Sequence, residues 1–526
     1  MRDDLSRRQM LQLLGGAAIA LPLVSACGLV SGGANVETQS SAGAILRSTA
    51  KLPQPFTAPL PVPPVLQPEP GHGDSDYYTI TQQVAQVQIL PGLKTEVWGY
   101  NGIFPGPTIE SQSGRQTIVE HRNELPVPTV THLHGGRTPH QDDGYPTDLV
   151  LPPSGWHGKD YDPHAGTIST GARAYVYPLD QPATSLWYHD HRMDFTGPQN
   201  WKGLAGFHLI HDDQEQRLPL PKGERDIPLM IVDRAFAEDG SMHYPSVDPS
   251  LRDTPGVKPD FVSGVLGDCI LVNGAPWPQL EVTNTRYRFR ILNASNARRY
   301  RIALDPPPAG GGSFVQVGSD QGLLGAPLAH DEIQIAQAER FDVIIDFSKY
   351  AIGSKVTLAN KLGAGGTAKI MRFLVARRGS DDSQIPKKLS EFEPLGRSEA
   401  KVTREFTFQR GGATRDGMTL WTVNDKPFDP ERIDARPRLG AIERWKISTL
   451  NLPHPIHLHL VRFQVLSRDG NGLGQYDHGW KDVVDGDSGG HIDVLVKFEG
   501  YRGKYVFHCH NLEHEDMAMM DNFEVV

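Results

Sequence analysis

From Tyr77 onward the chain reads as short runs in which apolar and polar residues alternate, punctuated by turns rich in Gly, Asn, Asp and Pro. A period of two marks a half-buried β-strand, because successive side chains leave an extended backbone on opposite faces. Arg288 and Arg290 set against Phe289 and Ile291 are one example. No sustained helical or heptad period interrupts the pattern. One segment recurs three times. Its first copy runs Asn101-Gly102-Ile103-Phe104-Pro105, a strand near 117–121, then His132-Leu133-His134. The second runs Asn273-Gly274-Ala275-Pro276-Trp277-Pro278, a strand at 287–292, then Arg298-Arg299-Tyr300. The third runs Asn424-Asp425-Lys426-Pro427-Phe428, a strand at 443–447, then His454-Pro455-Ile456-His457-Leu458-His459. Three copies predict three similar all-β domains, each a Greek-key sandwich. Polar, proline-containing stretches at 217–226 and 379–394 put the domains at 73–222, 223–385 and 386–526. The second copy has arginine and tyrosine where the others have histidine, so the second domain is expected to be a spacer and wall that binds no metal.

The residues ahead of this pattern read as an address and a lead-in. Ser6-Arg7-Arg8-Gln9-Met10-Leu11 resembles a twin-arginine export signal, and the apolar run at 13–26 is too short for a comfortable membrane span. Val24-Ser25-Ala26-Cys27 resembles a lipobox, in which cleavage leaves Cys27 lipidated; an ordinary signal peptidase could cut the same bond. Residues 1–27 are therefore expected to direct export by the twin-arginine route. The product would be a lipoprotein on the outer face of the cytoplasmic membrane, touching it only through Cys27, or else periplasmic or extracellular. Residues 28–50 are rich in Gly, Ser and Ala, and 53–70 hold eight prolines. Residues 28–72 thus read as a flexible tether followed by a stiff spacer, or alternatively as an arm lying on the domain surfaces.

The 526 residues leave ample room for several cores, and 54 Gly with 42 Pro suit many short strands joined by turns. A formal charge of −10 excludes a general nucleic-acid binder, and a monomer is expected. Of three cysteines, Cys27 belongs to the signal and Cys269 reads as a packing residue. An exported protein without disulfides must rest on its core and its metals.

The chemistry concentrates in the last strand and the residues just beyond it. His508 and His510 should share one face, with Cys509 on the other. Two metal environments can then lie on opposite sides of one strand. On the Cys509 side, His514 comes five residues on and Met519 five more. A thiolate, imidazoles and a weakly held thioether form the ligand set of a blue, one-electron copper centre, and its second imidazole must come from elsewhere in the chain. Twenty-one histidines in this length give about one His-x-His pair by chance. There are four, at 132/134, 189/191, 457/459 and 508/510, and their eight imidazoles can line an interdomain cleft. His454 lies off that alternation and can serve the other centre. Zinc is the competing metal, but zinc sites close at three or four ligands and gain nothing from a cysteine between two ligating histidines.

Taken together, His-x-His twice in the first domain, His-x-x-His-x-His and then His-Cys-His-x₃-His-x₄-Met resemble the multicopper oxidases. Gly479-Trp480-Lys481-Asp482-Val483-Val484 is similar to the branch holding three-domain bacterial laccases of the spore-coat type, bilirubin oxidases and phenoxazinone synthases. The resemblance implies cupredoxin-like domains and four copper ions. It gives the type 1 copper His454, Cys509, His514 and axial Met519, with Met517 and Met520 as competing axial residues. It gives the type 2 copper His132 and His457. The type 3 pair would take His134, His189, His191, His459, His508 and His510. It also implies that electrons enter through an exposed edge of His514, and that Asp143 and Glu515 are acids near the oxygen site. Asp482 matches a family position without an evident role. The other histidines, among them His140, His157 and His208, read as structural or exposed, and Trp156 with His157 is a candidate access path.

The activity this implies is laccase-like: four one-electron oxidations of phenolic or related aromatic reductants coupled to reduction of dioxygen to two waters. Oxidation of bilirubin-type tetrapyrroles, or of Cu(I), Fe(II) or Mn(II), is the alternative. A Met-rich insertion typical of cuprous oxidases is missing, since 401–450 contains only Met418. A copper store or electron carrier would not need the eight-histidine set, and neither would a nitrite reductase.

Overall fold

The computed structural model describes residues 43–156, 158, 166–415 and 417–526. The expectations for the export signal, for Cys27, for the tether up to residue 42 and for His157 lie outside the described residues. Within them the architecture is all-β, with short helices only at connections.

Each of three sandwiches is built from two sheets. In the first, Thr95–Tyr100, Asp76–Val87, Thr117–Asn123 and Ala172–Tyr177 lie in that order, facing a sheet ordered Ile109–Gln112, Ala205–His211, Thr184–Asp190 and Thr131–His134. The middle sandwich has seven- and five-stranded sheets, and the last has five- and four-stranded ones. In all three the opening long strand pairs in parallel with a later one: Asp76–Val87 with Thr117–Asn123, Asp226–Arg234 with Arg286–Asn293, and Val402–Arg415 with Ile442–Thr449. Parallel neighbours cannot be joined by a tight hairpin, so the chain crosses toward the second sheet between them, which is the Greek-key course. The turn that opens each recurring segment is the same device. Asn101, Asn273 and Asn424 all adopt positive φ (54, 50 and 51°), which asparagine tolerates better than most residues. Each donates its backbone N–H to a carbonyl, of Thr81, Met230 and Thr407 respectively, and accepts that same residue's N–H on its side-chain oxygen.

The last sandwich shows how alternation fixes the chemistry. On the strand Gly503–Cys509, Tyr505 and Phe507 point into a core with Phe406, Trp445 and Phe523. Burying each such ring stabilises the sandwich by about 1.5–3 kcal/mol. Cys509 is next on that face, so the sulfur ends a row of core side chains. His508 and His510 leave from the opposite face. The stretch after Cys509 includes a helical turn, Leu512–Asp516.

Charged groups tie the sandwiches together. Arg288 and Arg290 of the middle sandwich are buried and reach Glu215 of the first at 2.6 and 2.7 Å, alongside Asp226 and Asp342. Asp516 accepts the N–H groups of Thr196 and Gly197, at the start of the helix Thr196–Trp201, at 2.8 Å each.

The proline-rich stretch is not a free spacer over its described part. Ala44–Leu46 adds a parallel strand to Val265–Gly267, and the N–H groups of Phe56, Leu60 and Leu66 donate to carbonyls of Trp277, Gln279 and Thr108. Prolines lack an N–H, but the apolar residues between them supply both a donor and a side chain to bury. Ala50 and Leu60 are buried with the middle core, and Leu52 and Phe56 pack against it. That gain outweighs the freedom a spacer would keep.

Candidate metal centre

The four His-x-His pairs sit at strand ends. His132 and His134 close the strand Thr131–His134, while His191, His459 and His510 each stand one residue past the strands Thr184–Asp190, His454–Leu458 and Gly503–Cys509. Strand ends of the first and last sandwiches face each other there, and all eight rings are buried. Within the described residues their nitrogens fall into three groups: His134, His189 and His510; His191, His459 and His508; and His132 with His457, beside His459. His508 and His510, flanking one cysteine, belong to different groups. A fourth group, His454, Cys509 and His514, lies across the strand.

Hydrogen bonds decide which ring nitrogen is left over. His132 Nδ1 reaches the carbonyl of Asp143 at 2.5 Å, His457 Nδ1 that of Asp482 at 2.9 Å, and His189 Nδ1 that of Asp190 at 2.9 Å. His134 is turned the other way, its Nε2 3.2 Å from Asp482 Oδ1. What remains without a partner is Nε2 of His132, His189 and His457 and Nδ1 of His134. Buried ring nitrogens without partners are costly unless something binds them, and these converge. Burial first, and neighbouring imidazoles second in most of them, hold His132, His134, His189 and His191 neutral; His189 is pushed down to about 3 and His191 to about 4. Neutral imidazoles sharing a pocket are the donor set that suits copper.

Acids brace the rings from behind. Asp143 Oδ2 lies 2.7 Å from His459 Nδ1, and burial pushes its carboxyl well up. The turn that brings it there needs Gly144, at φ 76°, because a Cβ would stand 2.7 Å from the His132 Cα. Glu515 lies against two rings of one group, 3.3 Å from His191 Nδ1 and 3.1 Å from His508 Nδ1. Burial alone would raise its pKa, but those imidazoles draw it down to about 2. Asp482 now has contacts: besides His134 and His457 it accepts two bonds from Arg340 and one from Gln321.

At the fourth group, Cys509 Sγ lies 3.4 Å from His454 Nδ1 and 3.6 Å from His514 Nδ1, and the Asn511 N–H points at the sulfur from 3.4 Å. Strand register separates the methionines. Met520 pairs with His508 and so shares its face, whereas Met519 lies beside Cys509, whose N–H it accepts at 3.2 Å. Met517, Met519 and Met520 are all buried.

The exposed His514 edge expected from the resemblance is not found. His514 is fully buried (0% exposed): Trp421 stacks on its ring, with centroids 3.8 Å apart, and Nε2 meets the Ser263 carbonyl at 3.2 Å. The middle sandwich is therefore more than a wall, since it contributes Ser263 and Arg340. No local pattern announces Trp421, Ser263 or Arg340, each of which reaches its partner across a long stretch of chain.

Comparison with known proteins fits this geometry. Family models described as multicopper oxidase match residues 81–215 and 397–526. The laccase of Bacillus subtilis is 37% identical over 89% of this chain and 98% of its own length. The bilirubin oxidase of Albifimbria verrucaria is 34% identical over 97% of this chain and 88% of its own. The crystal structure of a laccase from Pediococcus acidilactici matches with a TM-score of 0.77, at 32% identity over 91% of this chain and 96% of that one. The chain belongs to the multicopper oxidase family. Within that family it is laccase-like, a copper oxidoreductase that uses dioxygen.

Proposed function

We propose that the protein holds four copper ions and couples one-electron oxidation of phenolic and related aromatic reductants to the reduction of dioxygen to two waters. His454, Cys509 and His514, with Met519 as the axial thioether, would hold the type 1 ion. His132 and His457 would hold the type 2 ion, and the groups His134/His189/His510 and His191/His459/His508 the type 3 pair. The observation that carries this reading is the bridge in the last strand, where Cys509 belongs to one centre and its two neighbours belong one to each triad. Bound copper supplies one-electron acceptance at the cysteine centre and delivery of four electrons to dioxygen at the histidine centre.

The chain's own residues orient and insulate. Asp143 and Asp482 fix ring tautomers by bonding the nitrogen turned away from each cluster, and Glu515 sets a carboxylate beside His191 and His508. Asp143, whose carboxyl burial pushes well up, would supply protons to the oxygen site, and Glu515, held ionised, would pass them on. Asp143 Oδ1 has no hydrogen-bond partner and lies 3.7 Å from His132 Nδ1. Asp143→Asn is expected to slow oxygen uptake by roughly a hundredfold while leaving anaerobic bleaching of the blue band unchanged. Equal oxygen uptake would remove Asp143 from this role.

The deciding experiment loads purified protein with copper, counts the metal, and measures oxygen uptake with a phenol, bilirubin, Cu(I), Fe(II) and Mn(II). Four ions per chain and turnover of the phenol are expected. Uptake with metal ions alone would reassign the protein as a metal oxidase, and fewer than four ions would break the ligand assignment. We further propose twin-arginine export, a lipid anchor at Cys27 and a monomeric body, on the sequence alone. Cys27→Ala should release the protein from membranes, and Arg7→Lys with Arg8→Lys should block export.

A further inference from the structure

The reductant cannot touch a ligand of the cysteine centre. His454 and His514 are both fully buried, and their outward nitrogens are capped by backbone carbonyls of Leu450 and Ser263. Among the described residues, the aromatic group laid on a ligand is Trp421. Its ring stacks on His514 at 3.8 Å with an interplanar angle of 25°, and it meets His454 edge-on at 5.5 Å. A hydrogen bond from Nε1 to the Val262 carbonyl, at 2.8 Å, fixes the indole in that pose. Exposed Arg410, on the strand Val402–Arg415, holds its guanidinium 5.7 Å from the indole centroid and marks the solvent side.

We propose that electrons reach His514 through Trp421, which is as buried as the ligand (1% exposed) but has the exposed Arg410 within 5.7 Å, replacing the direct ligand contact that burial of His514 forbids. The proposal rests on the type 1 assignment above. An indole offers a filled π-system overlapping the imidazole face, whereas the carbonyl caps offer one hydrogen bond each to an edge atom. The step is a plain transfer. A phenol docked over the Arg410 side gives one electron, which reaches oxidised copper at the cysteine centre. Its hydroxyl proton goes to solvent and a phenoxyl radical leaves. The guanidinium favours donors carrying negative charge. Trp421 is a positioning residue in this scheme, because it is not itself consumed.

The test compares Trp421→Leu and Trp421→Phe in copper-loaded protein. Three quantities are read: the blue absorption spectrum, the reduction potential by titration, and the anaerobic rate of bleaching by a phenol and by ferrocyanide. Expected is an unchanged spectrum and potential in both variants. Bleaching should slow by roughly tenfold or more in Trp421→Leu and recover largely in Trp421→Phe, whose ring still stacks. Bleaching of Trp421→Leu at the wild-type rate or faster, with potential unchanged, overturns the proposal and makes the indole a lid. Absence of a blue band in wild type overturns the type 1 assignment itself. Arg410→Glu should slow ferrocyanide and spare a neutral phenol; equal slowing of both overturns the charge preference.

Discussion

Replacing Arg340 by methionine tests the joint on which the histidine centre leans. The guanidinium has five N–H donors and all five are used. Nε donates to the Ser185 carbonyl at 3.0 Å, Nη1 to the Ala338 carbonyl at 2.9 Å and to Asp482 Oδ1 at 2.6 Å, and Nη2 to the Asp320 carbonyl at 2.9 Å and to Asp482 Oδ2 at 2.5 Å. These partners come from all three sandwiches, and Arg340 is 1% exposed. Methionine fills a similar volume but leaves the Asp482 carboxylate buried without its counter-charge, a change that costs about 3–5 kcal/mol. Asp482 in turn holds His134 Nε2, so copper affinity at that ring should fall by about 10- to 100-fold. The assay is urea unfolding of metal-free and copper-loaded protein, with copper counted per chain. Arg340→Lys keeps the charge but not the fork, and should fall between wild type and Arg340→Met. Adding Asp482→Leu to Arg340→Met removes both charges and should restore part of the stability lost. If Arg340→Met unfolds within about 1 kcal/mol of wild type and binds its full copper, the pair does not support the centre as described.

Cys509→Ser should abolish the blue absorbance and oxygen uptake while keeping the copper held by the histidine groups, as metal analysis and spectroscopy will show. Burial alone would raise the Glu215 pKa, but His211, Arg288 and Arg290 together hold it far below the ordinary value. A depressed carboxylate adds stability above its unfolded pKa and loses it as pH falls. The urea-midpoint gap between wild type and Glu215→Gln should therefore be full above about pH 5 and narrow steadily as pH falls from there toward the far lower pKa of the folded state. Leu60→Ala should cost about 2–3 kcal/mol in urea unfolding, because its side chain is packed in the middle core; a dangling spacer would show no change.

Much of this centre is legible one strand at a time. The pairs at 132/134, 189/191, 457/459 and 508/510 declare a shared face by their spacing, and Cys509 between two of them declares the opposite face. Spacing also singles out Met519, and strand register then explains why Met520 cannot compete. What the sequence hides is contact between distant segments. Arg340 meets Asp482 across 142 residues, and Trp421, on the strand Met418–Val423, reaches His514 in the helical turn of the same domain. Neither pair has a periodicity to betray it. The arm misleads for a different reason: proline content signals stiffness, but Leu52, Phe56 and Leu60 among the prolines decide that the stiff segment lies down.

The histidine centre draws on both ends of the fold, from His132 to His510, with the strand Met520–Val525 still to be paired behind it. No triad can therefore close until the strand that carries His508 and His510 has been made and paired. Metal insertion must follow the making of that strand, and a nascent chain stalled before residue 508 would have neither triad to offer a copper ion.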